Sequence, residues 1–114
     1  MPDIENKFED YKIIIPDELD HLIKGFLNRR SAEGTSLAEL VSKQEWSAIT
    51  KLGHKIKGHG GGYGFEGISI IGEKIETAAI AKNSATLNSS TQEYITYISY
   101  LKNILAVSYD LEGS

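Results

Sequence analysis

The sequence predicts an all-α fold, an antiparallel four-helix bundle with a short additional helix and an extended N-terminal segment. Apolar residues recur at helical spacing over most of the chain, and no stretch alternates apolar and polar residues as a strand would. Short connections between the predicted helices favour antiparallel packing of neighbours. A length of 114 residues allows one domain with a modest core. We expect residues 1–15 to form the extended segment and residues 16–110 to form the helical domain.

The apolar pattern predicts five helical segments in order along the domain. The first opens after Pro16, a residue suited to a first helical turn, and continues to about Arg30. A short second helix is expected around residues 37–41, with Gly34 near its start. The other three helices are marked by apolar or small residues at helical spacing: Trp46, Ile49, Leu52, Gly53 and Ile56; Phe65, Ile68, Gly72, Ile75 and Ala79; and Tyr94, Ile98, Leu101, Leu105 and Ser108. The polar segment 82–92 is expected to separate the last two helices, with the alternative that Leu87 already lies inside the start of the last one.

The composition argues against several classes of function. A net charge of -4 and a pI near 5.3 are unlike a nucleic-acid binder, which normally carries a clustered basic face. The chain has no cysteine, so disulfides, thiolate metal sites and a cysteine nucleophile are excluded. Apolar runs such as residues 13–15 are far too short to span a bilayer, and the polar, acidic N-terminus is unlike a signal peptide. We expect a soluble cytoplasmic protein without nucleic-acid or membrane partners.

The stretch LGHKIKGHGGGYGF, residues 52–65, combines two histidines, two lysines and six glycines. At about 100° per residue, His54 lies roughly 150° from the centre of the apolar stripe of its helix, so its side chain should face solvent. Lys57 lies one turn further along the same face and can reach a group bound to the imidazole. Gly58 and Gly61 leave space around the imidazole, and Lys51 lies on the flank.

This arrangement suits a histidine that accepts a phosphoryl group. An unperturbed imidazole has a pKa of about 6.5, so at physiological pH it is partly neutral and nucleophilic. In-line attack needs open space, and a nearby cation stabilises charge on the transferring oxygens. We therefore assign His54 as the phospho-acceptor and Lys57 as the residue that stabilises phosphoryl charge. Lys51, Gly58 and Gly61 are candidates for docking a partner.

The residues GHKIKG, together with a glycine ten residues after the histidine, resemble the signature of histidine-containing phosphotransfer (HPt) domains. The matching positions are a small residue, the phosphorylated histidine, an aliphatic residue, a lysine and two glycines: Gly53, His54, Ile56, Lys57, Gly58 and Gly64. The segments FLNRR, WSAITKLGHKIKG and GYGF are also similar to one branch of this family, so the resemblance covers roughly residues 16–80. His59 departs from the pattern, which usually has a small residue such as Ser or Ala there.

The resemblance implies an HPt-type four-helix bundle that takes a phosphoryl group from the aspartate of one receiver domain and passes it to another. Such a domain is a covalent phosphohistidine carrier without ATP-dependent kinase activity or a resident cofactor, and Mg²⁺ is expected only in the partner receiver domain. The expected partners are receiver domains of a response regulator or a hybrid sensor kinase, and the domain is expected to be a monomer. A second function stays open: a helical binding module that docks a receiver or another signalling partner without phosphotransfer.

Two glycine patterns resemble nucleotide-binding motifs but lack their context. Gly62, Gly64 and Gly67 match G-x-G-x-x-G, yet a predicted helix precedes them where a dinucleotide site requires a strand. Gly67 and Gly72 have the spacing of a phosphate-binding loop, but Glu73 occupies the lysine position. Gly62 and Gly64 are instead expected in the turn that ends the third helix, where glycine is common.

No metal site is expected in the histidine-rich stretch. His54 and His59 point in different directions on a helix, and no acidic residue adjoins them in the sequence. His59 is expected to pack or to hydrogen-bond the following loop. His21 is expected to be solvated on a helix surface.

Overall fold

The computed structural model describes residues 8–109 and 111, and within them a short 3-10 helix precedes four α-helices. The elements are the 3-10 helix Asp17–Leu22, α1 Ile23–Ser42, α2 Trp46–Tyr63, α3 Glu66–Ile80 and α4 Ser84–Ile104. The all-α prediction is confirmed, since the described residues contain no strand. The arrangement is compatible with a helical bundle.

The helices share one hydrophobic core. Helix α1 packs against α2 and α4, and helix α3 packs against the same two helices. Every helix contributes fully buried side chains, as does the N-terminal segment: Phe8, Phe26 from α1, Ile56 from α2, Ile68 from α3 and Tyr94 from α4. Burying each such side chain stabilises the fold by roughly 1.5–3 kcal/mol. No helix in the described part of the chain is both long and apolar enough to cross a bilayer.

Helix α1 is continuous where the sequence pattern predicts two helices. The predicted boundary between residues 30 and 37 is wrong, because α1 runs unbroken from Ile23 to Ser42. Gly34 does not end a helix. A Cβ at Gly34 would lie 3.1 Å from Ile95 Cγ1 of α4, so this glycine serves the close approach of α1 and α4. The helical start after Pro16 is confirmed, although its first six residues form a 3-10 helix.

Helix α4 begins at Ser84, inside the segment 82–92 that is predicted to be a break. Asn83 caps it, because the Asn83 side chain accepts a hydrogen bond of 3.1 Å from the Thr86 backbone N–H. The predicted break 82–92 is therefore wrong beyond Asn83. The polar residues that follow belong to a helix whose buried side starts at Leu87. The helix ends at Ile104, and residues 105–109 form turns.

The N-terminal segment is tied to the connection between α2 and α3. Residues 1–7 of the predicted extended segment 1–15 lie outside the described residues, as does residue 110 of the predicted domain 16–110. Phe8 is buried in the core. Ile13 forms an isolated antiparallel bridge with Phe65, and the Ile14 backbone N–H donates a 2.8 Å hydrogen bond to the Gly64 carbonyl. The end of α2 and the start of α3 are thus braced by a third stretch of chain.

Candidate functional site

Helix α2 divides into a buried face and an exposed face. Its buried residues are Ile49, Gly53, Ile56 and Gly60, the apolar and small positions of the predicted stripe. His54 lies on the other side of the helix, and 75% of its side chain is exposed. The predicted orientation of His54 is confirmed, because the helical period fixes which residues of one helix share a face. Its chemical role stays a prediction.

Three glycines allow α2 and α3 to pack with their backbones in close contact. At each position a Cβ would overlap the backbone of the facing helix: Gly53 faces Glu76, Gly60 faces Ser69, and Gly72 faces Lys57. At Gly53, for example, the Cβ would lie 2.8 Å from the Glu76 nitrogen. The contacts occur in opposite order along the two helices, so α2 and α3 run in opposite directions. This close packing sets side chains of α3 beside the exposed face of α2.

Glu76 of α3 contacts the imidazole of His54. The Nδ1 atom of His54 lies 3.2 Å from Oε2 of Glu76, whose side chain is 21% exposed. A carboxylate beside Nδ1 favours a proton on that nitrogen and leaves Nε2 with its lone pair. Glu76 could not be predicted from the sequence, because periodicity within one helix does not show which residue of another helix lies opposite. The one available signal is Gly53, whose missing side chain lets the Glu76 backbone approach.

Lys57 lies next to Glu73, one turn of α3 before Glu76. The Lys57 Nζ and Glu73 Oε1 atoms are 3.4 Å apart, and both side chains are substantially exposed. Exposed ion pairs of this kind contribute only about 0–1 kcal/mol. Lys57 can therefore exchange Glu73 for another anion at small free-energy cost. Its predicted position on the His54 side of α2 agrees with its exposure.

Three glycines on the exposed side of α2 have no packing role. A Cβ at Gly58 or Gly62 would meet nothing within 4 Å, and a Cβ at Gly61 would meet only the Ser69 Oγ atom at 3.9 Å. None of the three has a positive φ. Each glycine costs a helix interior about 1 kcal/mol relative to alanine, so the fold gains nothing from glycine here. Gly62 lies inside α2, and its predicted placement in the turn is wrong.

Gly64 occupies the predicted turn after α2. Its φ of 86° and ψ of 19° are left-handed, and its backbone N–H bonds to the Gly60 carbonyl. A Cβ at Gly64 would overlap the carbonyl oxygen of Ile14. Both the conformation and the contact require glycine at this position.

His59 packs into a polar cluster between α1, α2 and α4, with 30% of its side chain exposed. Its Nδ1 atom lies 3.7 Å from Oε2 of Glu33. The other oxygen of Glu33 accepts a 2.8 Å hydrogen bond from the Tyr94 hydroxyl and lies 2.9 Å from Nε of Arg30. Burial lowers the pKa of His59, and the Arg30 guanidinium lowers it further, whereas Glu33 acts in the opposite direction. The neutral form of His59 is therefore favoured in this cluster, away from the exposed face that carries His54.

Helix α2 is cationic within an acidic chain. It contains Lys51, Lys55 and Lys57, all exposed, and no acidic residue, while the whole chain has a net charge of -4. Lys51 lies one turn before His54, on the flank predicted for it. The lysines of α2 supply positive charge on the helix that carries His54, while Glu73 and Glu76 of α3 supply negative charge beside it.

Although no acidic residue adjoins His54 or His59 in the sequence, the fold places a carboxylate beside each of them. Each histidine contacts a glutamate from a different helix, Glu76 of α3 for His54 and Glu33 of α1 for His59. In the described part of the chain, no three His, Asp or Glu side chains converge to hold a metal ion.

The chain matches no family model, and no curated protein sequence or solved structure matches it significantly.

Proposed function

We propose that this protein is a phosphorelay intermediate, in which His54 accepts a phosphoryl group from a receiver-domain aspartate and passes it to a second receiver domain. One observation carries the proposal: an exposed imidazole, paired with Glu76, stands on a helix face cleared of side chains by glycines that the fold does not need. The proposal includes an antiparallel bundle of HPt type, a monomeric protein and a cytoplasmic location. It extends the resemblance of residues 16–80 to HPt domains.

The chemical step is an in-line attack by Nε2 of His54 on the phosphorus of the aspartyl phosphate. A bond forms between Nε2 and phosphorus, the bond between phosphorus and the aspartyl oxygen breaks, and the aspartate leaves as a carboxylate. Nδ1 keeps its proton, so the phosphorylated ring gains a positive charge. Glu76, 3.2 Å from Nδ1, stabilises that charge as it develops. Transfer to the second receiver reverses the step and restores the neutral imidazole.

Lys57 supplies positive charge to the phosphoryl oxygens in this proposal. In the resting protein Lys57 is held loosely by Glu73, and arrival of the phosphoryl group offers it a stronger anionic partner. Mg²⁺ belongs to the partner receiver domain. The chain itself supplies the nucleophile, the neighbouring carboxylate and one cation.

Phosphotransfer from a labelled receiver tests the proposal. Receiver domains are phosphorylated with radiolabelled acetyl phosphate, purified and mixed with the parent protein, His54→Gln or the matched control His59→Gln. The parent and His59→Gln should become labelled, and the label should be lost in acid and survive base, as a phosphoramidate does. Labelling of His54→Gln at the parental rate would refute the assignment. A receiver that binds the parent without labelling it would instead favour the docking module without phosphotransfer.

A further inference from the structure

Ile14 is an apolar side chain held in an exposed position beside the glycine face of α2. It is 71% exposed, whereas Ile13 and Ile15 on either side of it are half-buried. Its backbone N–H bonds to the Gly64 carbonyl, and the preceding residue forms the bridge with Phe65. The backbone of Ile14 is therefore fixed while its side chain stays in solvent.

Aromatic contacts anchor the chain that leads to Ile14. The Phe8 and Tyr11 rings lie 4.9 and 5.5 Å from the Tyr97 ring, centroid to centroid, in edge-to-face arrangements. Phe8 is only 1% exposed. Aromatic pairs of this geometry add about 0.5–1.5 kcal/mol each beyond the area they bury. Ile14 is thus presented by a segment that is anchored to α4 on one side and to the α2–α3 connection on the other.

A small surface cavity joins Ile14 to the face that carries His54. The cavity has a volume of about 250 Å³ and is lined by Lys12, Ile14, Gly60, Gly61, Gly64 and Glu66. Gly61 belongs both to this cavity and to the bare face of α2, two helical turns along from His54. The cavity is smaller than the roughly 300–1,000 Å³ typical of small-molecule pockets. Its size therefore suits a side chain of a protein partner better than a free ligand.

The surroundings of the cavity define the chemistry of that partner. Helix α2 carries Lys51, Lys55 and Lys57 and no carboxylate, and of these lysines Lys57 is paired with Glu73 of α3 through an exposed contact that an incoming anion can replace. These lysines complement an acidic phosphorylation pocket. Ile14 adds an apolar contact at the edge of the same surface. A partner that fits both must carry an acidic centre and, next to it, an exposed apolar side chain.

We propose that Ile14 and the adjoining cavity form the apolar docking contact for the receiver domain that exchanges phosphate with His54. The inference rests on the proposed function and deepens it, because it names the surface that selects the partner. An apolar side chain of the receiver packs against Ile14 and into the cavity, while the receiver's acidic pocket faces the lysines of α2. Ile14 itself does not touch the reacting atoms.

Ile80 provides a matched control for Ile14. It is also an isoleucine, 67% exposed, at the other end of α3. Glu66 at the start of α3 bonds through its backbone N–H to the Lys12 carbonyl, close to Ile14. Fourteen residues of helix separate Glu66 from Ile80, a distance of about 21 Å at 1.5 Å per residue. Replacing Ile80 removes an equally exposed apolar side chain that lies one turn beyond Glu76, on the opposite side of His54 from Ile14.

The experiment compares Ile14→Ala, Ile14→Glu and Ile80→Glu with the parent in phosphotransfer from receiver domains charged with acetyl phosphate. The receiver that labels the parent fastest is titrated to obtain KM and kcat, and circular dichroism melting monitors the fold of each variant. We expect Ile14→Glu to raise KM roughly tenfold or more, because a buried apolar contact is lost and a like charge faces the acidic partner. Ile14→Ala should raise KM less, kcat should stay within about twofold of the parent for both variants, and Ile80→Glu should match the parent.

Three results would overturn the inference. The first is a parental KM for Ile14→Glu, and the second is an equal rise in KM for Ile80→Glu. A fall in kcat for Ile14→Ala without a change in KM would place Ile14 outside the docking contact. In each of these cases the labelled parent leaves the proposed function standing. A parent that no receiver labels would overturn the proposed function itself, and this inference with it.

Discussion

Replacing Gly61 by leucine separates what the fold requires from what the site requires. A Cβ at Gly61 meets only the Ser69 Oγ atom at 3.9 Å, an ordinary van der Waals distance, and its φ is not positive. Leucine is a better helix former than glycine by roughly 0.8 kcal/mol. In a domain of this size a stabilisation of that magnitude raises the Tm by about 3–5 °C. We therefore expect Gly61→Leu to melt at or above the parental temperature.

The same substitution should slow phosphotransfer. Gly61 lies seven residues beyond His54, about 10.5 Å along the helix axis and nearly in line with it. A leucine side chain there occupies the space through which a receiver approaches the imidazole and fills part of the cavity next to Ile14. We expect transfer from a phosphorylated receiver to fall at least about tenfold, equivalent to 1.4 kcal/mol or more. The assay pairs the Tm from circular dichroism with the transfer rate.

Gly64→Leu is the control for this prediction, because Gly64 is a glycine that the fold does require. Its left-handed φ of 86° and its contact with the Ile14 carbonyl both exclude a side chain. The left-handed conformation alone costs a residue with a Cβ roughly 1–2 kcal/mol. We expect Gly64→Leu to lower the Tm, with any loss of transfer following from loss of structure. A parental transfer rate in Gly61→Leu would refute the idea that glycine clears this face for a partner.

Three further substitutions test the neighbours of His54 and the cluster at His59. Lys57→Ala should leave the Tm almost unchanged, because the ion pair of Lys57 with Glu73 is exposed, and should slow phosphotransfer roughly tenfold or more. Lost helicity with an unchanged transfer rate would contradict this role of Lys57. Glu76→Gln should slow phosphate acceptance about tenfold, because the ring charge loses its carboxylate, and a parental single-turnover rate would show that Glu76 is not needed. Because the pKa of His59 is lowered in the folded protein, protonation of His59 favours the unfolded state. The stabilisation that comes from keeping His59 neutral is complete above about pH 6.5, the unfolded pKa, and is lost as the pH falls through the folded pKa. His59→Gln should therefore lose less Tm than the parent or the exposed control His21→Gln between about pH 7 and pH 5, and identical pH profiles would rule out this linkage.

The sequence predicts best what a single helix determines by itself. The orientation of His54 follows from the helical period of α2, and the left-handed turn at Gly64 follows from a glycine just after the last apolar position. The structure agrees with both. Gly62, two residues earlier, was predicted in the same turn but lies within α2, because the boundary of a glycine-rich helix end has no sharp local signal.

Features that depend on contacts between helices were missed or misjudged. Gly34 reads as a helix break in isolation, yet it lies in the middle of α1 and allows α4 to approach. Glu76 and Glu73 have no local feature that links them to His54 and Lys57. Their placement depends on the close packing of α2 against α3, which in turn depends on Gly53 and on the glycine just before Glu73. The exposed position of His54 was therefore predictable, and the carboxylate beside it was not.

The central claim is that the phosphoryl group is carried on Nε2 of His54. The most direct test is nuclear magnetic resonance of protein with ¹⁵N-labelled histidines, recorded before and after phosphorylation by a charged receiver, with His54→Gln used to assign the imidazole signals. We expect phosphorus coupling and a shifted resonance at Nε2 of His54, a proton retained on Nδ1, and unchanged signals from His21 and His59. Phosphorylation at Nδ1 of His54, or at another histidine, would contradict it.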